Sequence, residues 1–293
     1  MQQKRTRNQF WYLFGPLLIK WVIDFVVEGA AGAAYIVLNR SRLNLGGTQE
    51  NLMEQAMNLS LELSQYSVEI ATVSAVITLA VLGYIYHRDR VNEKQKGMAA
   101  HQEMPFFKYG VIAVMGIGAC IALNNLLILS SISSVSQTYQ DTSQLIYQSP
   151  LWVQIVGLGI LLPIAEELVY RGLLYKRMRE NMPVVISMVF SAVIFGVTHG
   201  NLVQFIYAGV LGLLLAYTYE KTGTLKAPAL LHIVMNLTSV VGTKAKIFDW
   251  MFTNMFWLSI STAAAAAVAA AMFLMIRNIK GNQEEETDMK NNG

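Results

Sequence analysis

The chain has 293 residues, of which 54% are hydrophobic and 14% are charged, and its formal net charge at pH 7 is +3. This composition excludes an ordinary soluble domain, and the small net charge, carried by basic residues beside apolar runs, argues against a nucleic-acid partner. The single cysteine, Cys120, excludes both a disulfide framework and a zinc cluster built from cysteines.

Apolar runs recur along the whole sequence, and a bilayer core needs about 20 apolar residues per helix. On that scale the sequence predicts an all-α fold, a polytopic membrane helix bundle with about eight transmembrane helices. The predicted spans are 11–38, 66–87, 106–130, 150–171, 183–200, 202–219, 227–242 and 254–277.

Lysine and arginine residues beside the spans predict the orientation, because cytoplasmic loops carry an excess of both. Basic residues occur in segment 1–10, in 88–96, in 176–179 and from Arg277 onward, whereas the connection 131–149 contains none. We therefore expect a multi-pass integral protein of a bacterial plasma membrane, with both termini in the cytoplasm. The first apolar run lacks a clear cleavage site, so we expect it to be retained as a helix.

Charged side chains inside predicted spans need an explanation, because a charge at membrane depth costs about 2.5–3.5 kcal/mol on insertion scales. Lys20 and Asp24 lie four residues apart in the first span, so they can form an ion pair along one face of the helix. The sequence leaves open whether this pair is structural or functional.

Three later spans carry polar or aromatic residues in pairs that are four residues apart. On a helix this spacing stacks the two side chains on one face, one turn apart. The pairs are Glu167 with Arg171, Phe195 with His199, and His232 with Asn236. The first pair is predicted to form an ion pair along its helix.

The polar groups of these spans could together support hydrolysis. Glu166 lies about 100° around the helix from Glu167 and has no local partner, which makes it a candidate general base. His199 could orient the water whose proton Glu166 takes, and His232 with Asn236 could donate to an oxyanion. Taken singly, each histidine or asparagine could equally be an interhelical hydrogen-bond former.

Three segments carry a resemblance to a known family. "EELVYR" (166–171), "FGVTH" (195–199) and "HIVMN" (232–236) are similar, in order, to the three motifs of the CAAX prenyl endopeptidase and bacteriocin-processing family, also called the CPBP or Abi family. Each motif is weak by itself, but the three follow in order on separate predicted helices.

The resemblance implies an intramembrane endopeptidase. Its catalytic residues would be Glu166 and His199, which activate water, with His232 and Asn236 at the oxyanion site. The residues that support the helices and shape the pocket would be Glu167, Arg171 and Phe195.

The resemblance covers about 150–241, which we expect to be the catalytic core. The remaining chain divides into a cytoplasmic N-terminus (1–10), the N-terminal transmembrane helices (11–149), a last transmembrane helix with an interfacial aromatic segment (242–280) and a polar tail (281–293). The tail has almost nothing to bury, so we expect it to be disordered.

The family has also been described as metalloproteases, which leaves an alternative mechanism open. Glu166, His199 and His232 would then form a zinc site with an open position for water. We favour a mechanism without a cofactor, because the sequence has no HExxH helix and Asn236 suits an oxyanion donor better than a metal ligand.

The expected partners are membrane lipid and a peptide or protein substrate with a membrane-associated or lipidated tail. Two other classes of protein could use the same bundle, namely a non-catalytic binding, immunity or regulatory protein and a proton-coupled transporter. Substitution of Glu166 separates an enzyme from a scaffold.

The predicted spans place Glu166 and His199 at different depths if the fourth helix enters at Leu151 and the fifth starts at the inner surface. We therefore expect the fourth helix to continue through "GLLYKRMRE" (172–180) into the cytoplasm and the fifth to start at Pro183, below the membrane surface. The turn at 200–201 would then be buried.

Overall fold

The structure is a computed structural model that describes residues 8–40, 48–96, 104–132 and 136–278. The predicted tail, 281–293, and residues 1–7 of the predicted N-terminal segment lie outside the described residues. The helices are α1 (Gln9–Leu38), α2 (Gln49–Ser64), α3 (Ser67–Gln95), α4 (Phe106–Leu129), α5 (Gln137–Gln148), α6 (Leu151–Arg179), α7 (Val184–Val197), α8 (Leu202–Thr222), α9 (Lys226–Lys244), α10 (Ile247–Met251) and α11 (Met255–Arg277).

Local sequence sets many of the helix boundaries. Short polar side chains accept a backbone N–H in the first turn of five helices and so stabilise their starts; they are Asn8, Thr48, Ser136, Asn201 and Asn254. Prolines at 150 and 183 precede α6 and α7. Gly223 ends α8 in the left-handed conformation, with φ of 64°, which glycine adopts without steric cost.

The prediction of a polytopic helical bundle is confirmed. Six helices in the described part of the chain are long and apolar enough to cross a membrane, namely α1, α3, α4, α6, α8 and α11. The two other predicted spans are α7, which has 14 residues, and α9, which has 19 and carries the polar residues His232 and Asn236. At 1.5 Å per residue α7 is only about 21 Å long, against a hydrocarbon core of about 30 Å.

Helix α6 lies at the centre of the bundle, where it contacts α1, α3, α7, α8 and α9. Helix α4 packs against α9 and α11, and α7 packs against α8. The approach of α7 to α8 requires a small residue, because a Cβ atom added at Gly212 would lie 3.0 Å from the Cα atom of Ala192.

The C-terminal end of α6 is held by ion pairs, and its continuation to Arg179 was expected from the sequence. Its last four residues reach acidic side chains on α3 and α8. The ion pairs are Lys176 with Glu93 (2.7 Å), Arg177 with Asp89 (2.7 Å) and Arg179 with Glu220 (3.1 Å).

Two connections differ from the sequence predictions. The connection 131–149 is not only a loop, since it contains the helix α5. The turn after α7 is not buried as expected, because Gly200 is exposed and a Cβ atom there would have no neighbour within 4 Å. No other described part of the chain covers Gly200, so this turn lies on the outside of the bundle.

Candidate active site

The four predicted catalytic residues line one cavity of about 270 Å³. Glu166 comes from α6, His199 from the turn after α7, and His232 and Asn236 from one face of α9. The structure therefore brings together residues that are up to 70 positions apart in the sequence (236 − 166).

Helix α6 departs from α-helical geometry on both sides of its two glutamates. It has wide π-helical turns at Gln154–Leu161 and Leu168–Tyr175, and between them a short regular stretch, Leu162–Glu167. Pro163 has no N–H to donate to the preceding turn, which is consistent with a wide turn ending just before it. Such turns occur frequently at functional sites.

Glu167 is fully buried and has two partners. Its Oε1 atom accepts hydrogen bonds from Nη1 of Arg171 (2.7 Å) and from Nδ1 of His232 (3.0 Å). Arg171, which is also fully buried, donates from Nη2 to the carbonyl oxygen of Gly212 (3.1 Å). The predicted ion pair is thus confirmed, and it also joins α6 to α8 and α9.

The ring of His232 is oriented by Glu167. A carboxylate can only accept, so Nδ1 of His232 carries a proton and donates it to this hydrogen bond. Nε2 then points toward the other glutamate, 3.7 Å from Oε2 of Glu166. In the neutral ring Nε2 holds a lone pair, so an oxyanion donor at this position requires a second proton on the ring.

His199 is oriented in the same way by a different acceptor. Its Nδ1 lies 2.7 Å from the carbonyl oxygen of Phe195, which can only accept. The proton therefore lies on Nδ1, and Nε2 is left with a lone pair. A water molecule or a polar hydrogen could donate to that lone pair.

Phe195 is fully buried and contacts both imidazole rings edge-on. Its ring centroid is 4.7 Å from that of His199 and 5.8 Å from that of His232. The guanidinium of Arg171 lies 4.6 Å from the same centroid, on the face of the ring. Phe195 therefore packs against three of the charged or imidazole groups of the site and limits how each can turn.

Asn236 joins α9 to the first wide turn of α6. Its Nδ2 donates to the carbonyl oxygen of Leu158 at 2.9 Å. One hydrogen of the amide is used in this bond, so the second hydrogen of the group remains for an acceptor in the cavity.

Sequence reasoning missed the contribution of α5 to the cavity. Tyr139, Ser143 and Tyr147 line it, and their spacing of four residues was the signal that places them on one helix face. The hydroxyls of Tyr147 and Ser239 share a hydrogen bond of 2.8 Å. Burial raises the pKa of the Tyr139 hydroxyl, so it keeps its proton at neutral pH and can donate.

The end of α5 is fixed to the helices that carry the site. Gln154 on α6 donates to the carbonyl oxygens of Tyr147 (3.1 Å) and Ser149 (2.6 Å). Lys244 on α9 donates to the carbonyl oxygen of Tyr147 at 3.0 Å. Helix α5 therefore forms a wall of the cavity with defined contacts to α6 and α9.

The geometry also bears on the predicted zinc alternative. Among residues 8–40, 48–96, 104–132 and 136–278, no group of three or more His, Cys, Asp or Glu side chains is placed so that it could hold a metal ion. The free Nε2 atoms of the two histidines suit a metal chemically, but with Glu166 they do not form a ligand set. The residues as placed do not fit zinc.

Together these features define a class of protein: a polytopic helical membrane protein with a glutamate and two oriented imidazoles around one cavity. Residues 148–238 match the family model described as type II CAAX prenyl endopeptidase Rce1-like. The resemblance of this segment to the CAAX prenyl endopeptidase family is therefore confirmed, and it supports a membrane peptidase as the kind of protein.

A curated relative agrees with that family. The Bacillus subtilis (strain 168) protein named "Putative membrane peptidase YdiL" is 27% identical over 106 residues. The match covers 36% of this chain and 43% of the relative, so it spans less than half the length of that protein. No solved structure gives a significant match.

Proposed function

We propose that this protein is an intramembrane endopeptidase that hydrolyses peptide bonds of membrane-associated or lipidated peptides with a water activated by Glu166 and His199. The observation that carries the proposal is the convergence of Glu166 with the Nε2 sides of two imidazoles on one cavity. The Rce1-like match over 148–238 supports the same reaction class.

In the proposed reaction, a water held by Glu166 and by Nε2 of His199 attacks the carbonyl carbon of the peptide bond. The new C–O bond forms as the water gives a proton to Glu166 and the carbonyl oxygen becomes an oxyanion. The C–N bond then breaks, and Glu166 returns the proton to the leaving nitrogen. One water is consumed, and the products are a carboxylic acid and an amine, which become a carboxylate and an ammonium when the acid gives its proton to the amine.

His232 and Asn236 are proposed to hold the oxyanion. His232 donates from Nε2 when both ring nitrogens carry protons, and Asn236 donates the amide hydrogen that Leu158 does not accept. The doubly protonated ring balances the charges of the site, because Glu166 and Glu167 are then matched by Arg171 and His232. A balanced set lowers the cost of holding four charged groups in a buried site.

The cavity wall supports an apolar or lipidated substrate. Besides the polar groups it contains Leu158, Leu162, Tyr207 and Leu211, which suit an apolar side chain beside the cut bond. The outer surface of the bundle exposes many large apolar side chains, which are proposed to contact lipid.

The decisive experiment compares the native protein with Glu166→Gln in bacterial membranes by quantitative peptidomics. Glu166→Gln keeps the shape of the side chain but removes the base, so peptide products should disappear while expression is preserved. Glu54→Gln on the exposed face of α2 is the matched control and should leave the products unchanged. Full activity of Glu166→Gln would instead favour a non-catalytic binding or immunity protein.

We also propose that both termini face the cytoplasm. The native cysteine, Cys120, is buried, so an introduced cysteine reports on its own position. Gln3→Cys should react with a membrane-impermeant maleimide only after the cells are opened, and labelling of intact cells would contradict this orientation.

A further inference from the structure

A second cavity, of about 170 Å³, lies between α1, α3 and α6. It shares the wall residues Leu162 and Glu166 with the cavity of the candidate active site, which we call the main cavity. Helix α6 therefore lies between the two. Its polar wall residues come from all three helices and lie mostly outside the segment 148–238; they are Lys20, Asp24, Glu28, Ser74, Thr78 and Glu166.

The polar groups of this second cavity are connected to one another. Lys20 donates from Nζ to Oδ2 of Asp24 at 2.6 Å, and the hydroxyl of Ser74 donates to Oδ1 of the same carboxylate. The Lys20 and Asp24 side chains remain 19% and 29% exposed, so they can still bind other molecules. Charged residues in membrane spans commonly face a water-filled cavity.

The size and chemistry of the second cavity suit water. A single bound water needs a cavity volume of about 10–15 Å³ and two to four polar partners. The second cavity exceeds both requirements, with about 170 Å³ and six polar wall residues. Lys20, Asp24 and Glu28 follow one another at four-residue intervals on one face of α1. Glu28 is exposed, so this polar face leads from the cavity to the surface of the bundle.

A peptide bound in the main cavity would hinder the entry of the water that hydrolysis needs. It would occupy the space around Glu166 on the side of the histidines, yet hydrolysis consumes one water per cut bond. Glu166 is the one polar residue that lines both cavities among the described residues. Water held behind α6 can therefore reach Glu166 without passing the substrate.

We infer that the second cavity is a water-binding chamber that supplies the hydrolytic water to Glu166, with Lys20, Asp24 and Ser74 as its water-holding groups. This inference rests on the proposed function. It also assigns a role to the Lys20–Asp24 pair, for which the sequence left structure and function open.

The first test fills the chamber. Ala75 is buried on α3 and lines the second cavity but not the main one, so Ala75→Leu should displace water without touching the substrate side. We expect kcat to fall about tenfold or more, with KM changed by less than about twofold. Ala80→Leu, the same change at an exposed position of α3, should leave both constants unchanged.

The second test measures water directly and does not depend on activity. Hydroxyl radicals generated from bound water by an X-ray pulse label neighbouring side chains, and mass spectrometry gives the labelling of Ile70, which lines only the second cavity. We expect Ile70 to be labelled in the native protein and in Ala80→Leu, and its labelling to fall in Ala75→Leu. Equal labelling of Ile70 in the two variants would overturn the inference that the second cavity holds water.

A third variant guards against misfolding. Asp24→Asn keeps the volume but removes the carboxylate that binds Lys20 and Ser74, and it should lower kcat in the same direction as Ala75→Leu. Native kcat in both variants, with Glu166→Gln inactive, would overturn the inference and leave the peptidase standing. If the native protein and Glu166→Gln gave equal amounts of peptide products, the proposed peptidase activity itself would be contradicted.

Discussion

Glu167 and His232 are joined by a hydrogen bond of 3.0 Å although 65 positions separate them in the chain. The bond runs from Nδ1 of the imidazole to the carboxylate that also holds Arg171. Glu167 therefore fixes the ring whose other nitrogen faces Glu166, and the two adjacent glutamates have different tasks. One orients the site from a fully buried position, and the other faces the cavities.

The first prediction concerns Glu167→Gln. Removing one partner of a buried ion pair leaves an uncompensated charge on Arg171, so we expect the free energy of unfolding to fall by about 3–5 kcal/mol. Thermal unfolding of the purified protein in one detergent is the measurement. Glu54→Gln, which changes an exposed glutamate of α2, is the control, and an unchanged melting temperature in Glu167→Gln would contradict the buried pair.

The second prediction concerns His199→Gln. Glutamine removes the imidazole that is proposed to orient the attacking water, so kcat should fall by about 10²–10⁴-fold while KM changes little. Both constants are measured by steady-state cleavage of a reporter peptide, whose sequence is taken from the peptide products found in the membranes. His87→Gln, at an exposed position on α3, should behave as the native protein. A rise in KM at constant kcat would place His199 in substrate binding rather than in water activation.

The third prediction concerns the oxyanion role proposed for Asn236. Asn236→Ala loses both the bond to Leu158 and the proposed oxyanion donor, and kcat should fall by about 10²–10³-fold. Leu158 contributes only its backbone carbonyl oxygen to that bond. A stability loss limited to about 0.5–1.5 kcal/mol, the usual value of one hydrogen bond, would show that the kinetic loss is not caused by unfolding.

The fourth prediction tests α5 as a wall of the substrate site. Tyr147→Ala enlarges the cavity and removes the bond to Ser239, so peptides with a bulky side chain at the cut bond should gain in kcat/KM relative to peptides with a small one. Competition between two such peptides in one reaction gives the ratio. Tyr84→Ala on the exposed face of α3 should leave the ratio as it is, and an unchanged ratio in Tyr147→Ala would exclude α5 from specificity.

The fifth prediction concerns metals. Because the site residues as placed do not form a metal ligand set, peptide cleavage should persist after dialysis against a strong chelator, with the metal content measured in the same sample. Activity that is lost on dialysis and restored by zinc alone would establish the zinc mechanism.

Much of the fold follows from local pattern. Apolar runs gave the long helices, and four-residue spacing placed Glu167 beside Arg171 and His232 beside Asn236, because helix geometry alone determines these pairs. The convergence of the three motif helices was a hypothesis based on their polar residues and strengthened by the family resemblance, since spacing within a helix does not determine it. The ring orientations depend on acceptors contributed by other parts of the fold or by the backbone, such as Glu167 for His232.

Other features could not be found without tertiary structure. Helix α5 is too polar for a span, and its tyrosines become wall residues only because α6 and α9 bind its end. The second cavity arises where α1 and α3 meet α6, and most of its lining residues lie outside the motif segment. The predicted burial of the turn at Gly200 was wrong, because it was derived from the depth of the two helices, and depth alone does not determine whether other parts of the protein cover a turn.

The short helix α7 has a consequence for the lipid around it. An apolar helix of about 21 Å beside α8, which is about 32 Å long, creates a hydrophobic mismatch, which bilayers relieve by thinning locally. The head groups would then dip toward the turn at Gly200 and the adjoining His199. A peptide resting in the interfacial layer would meet His199 at that depth without crossing a full leaflet of acyl chains.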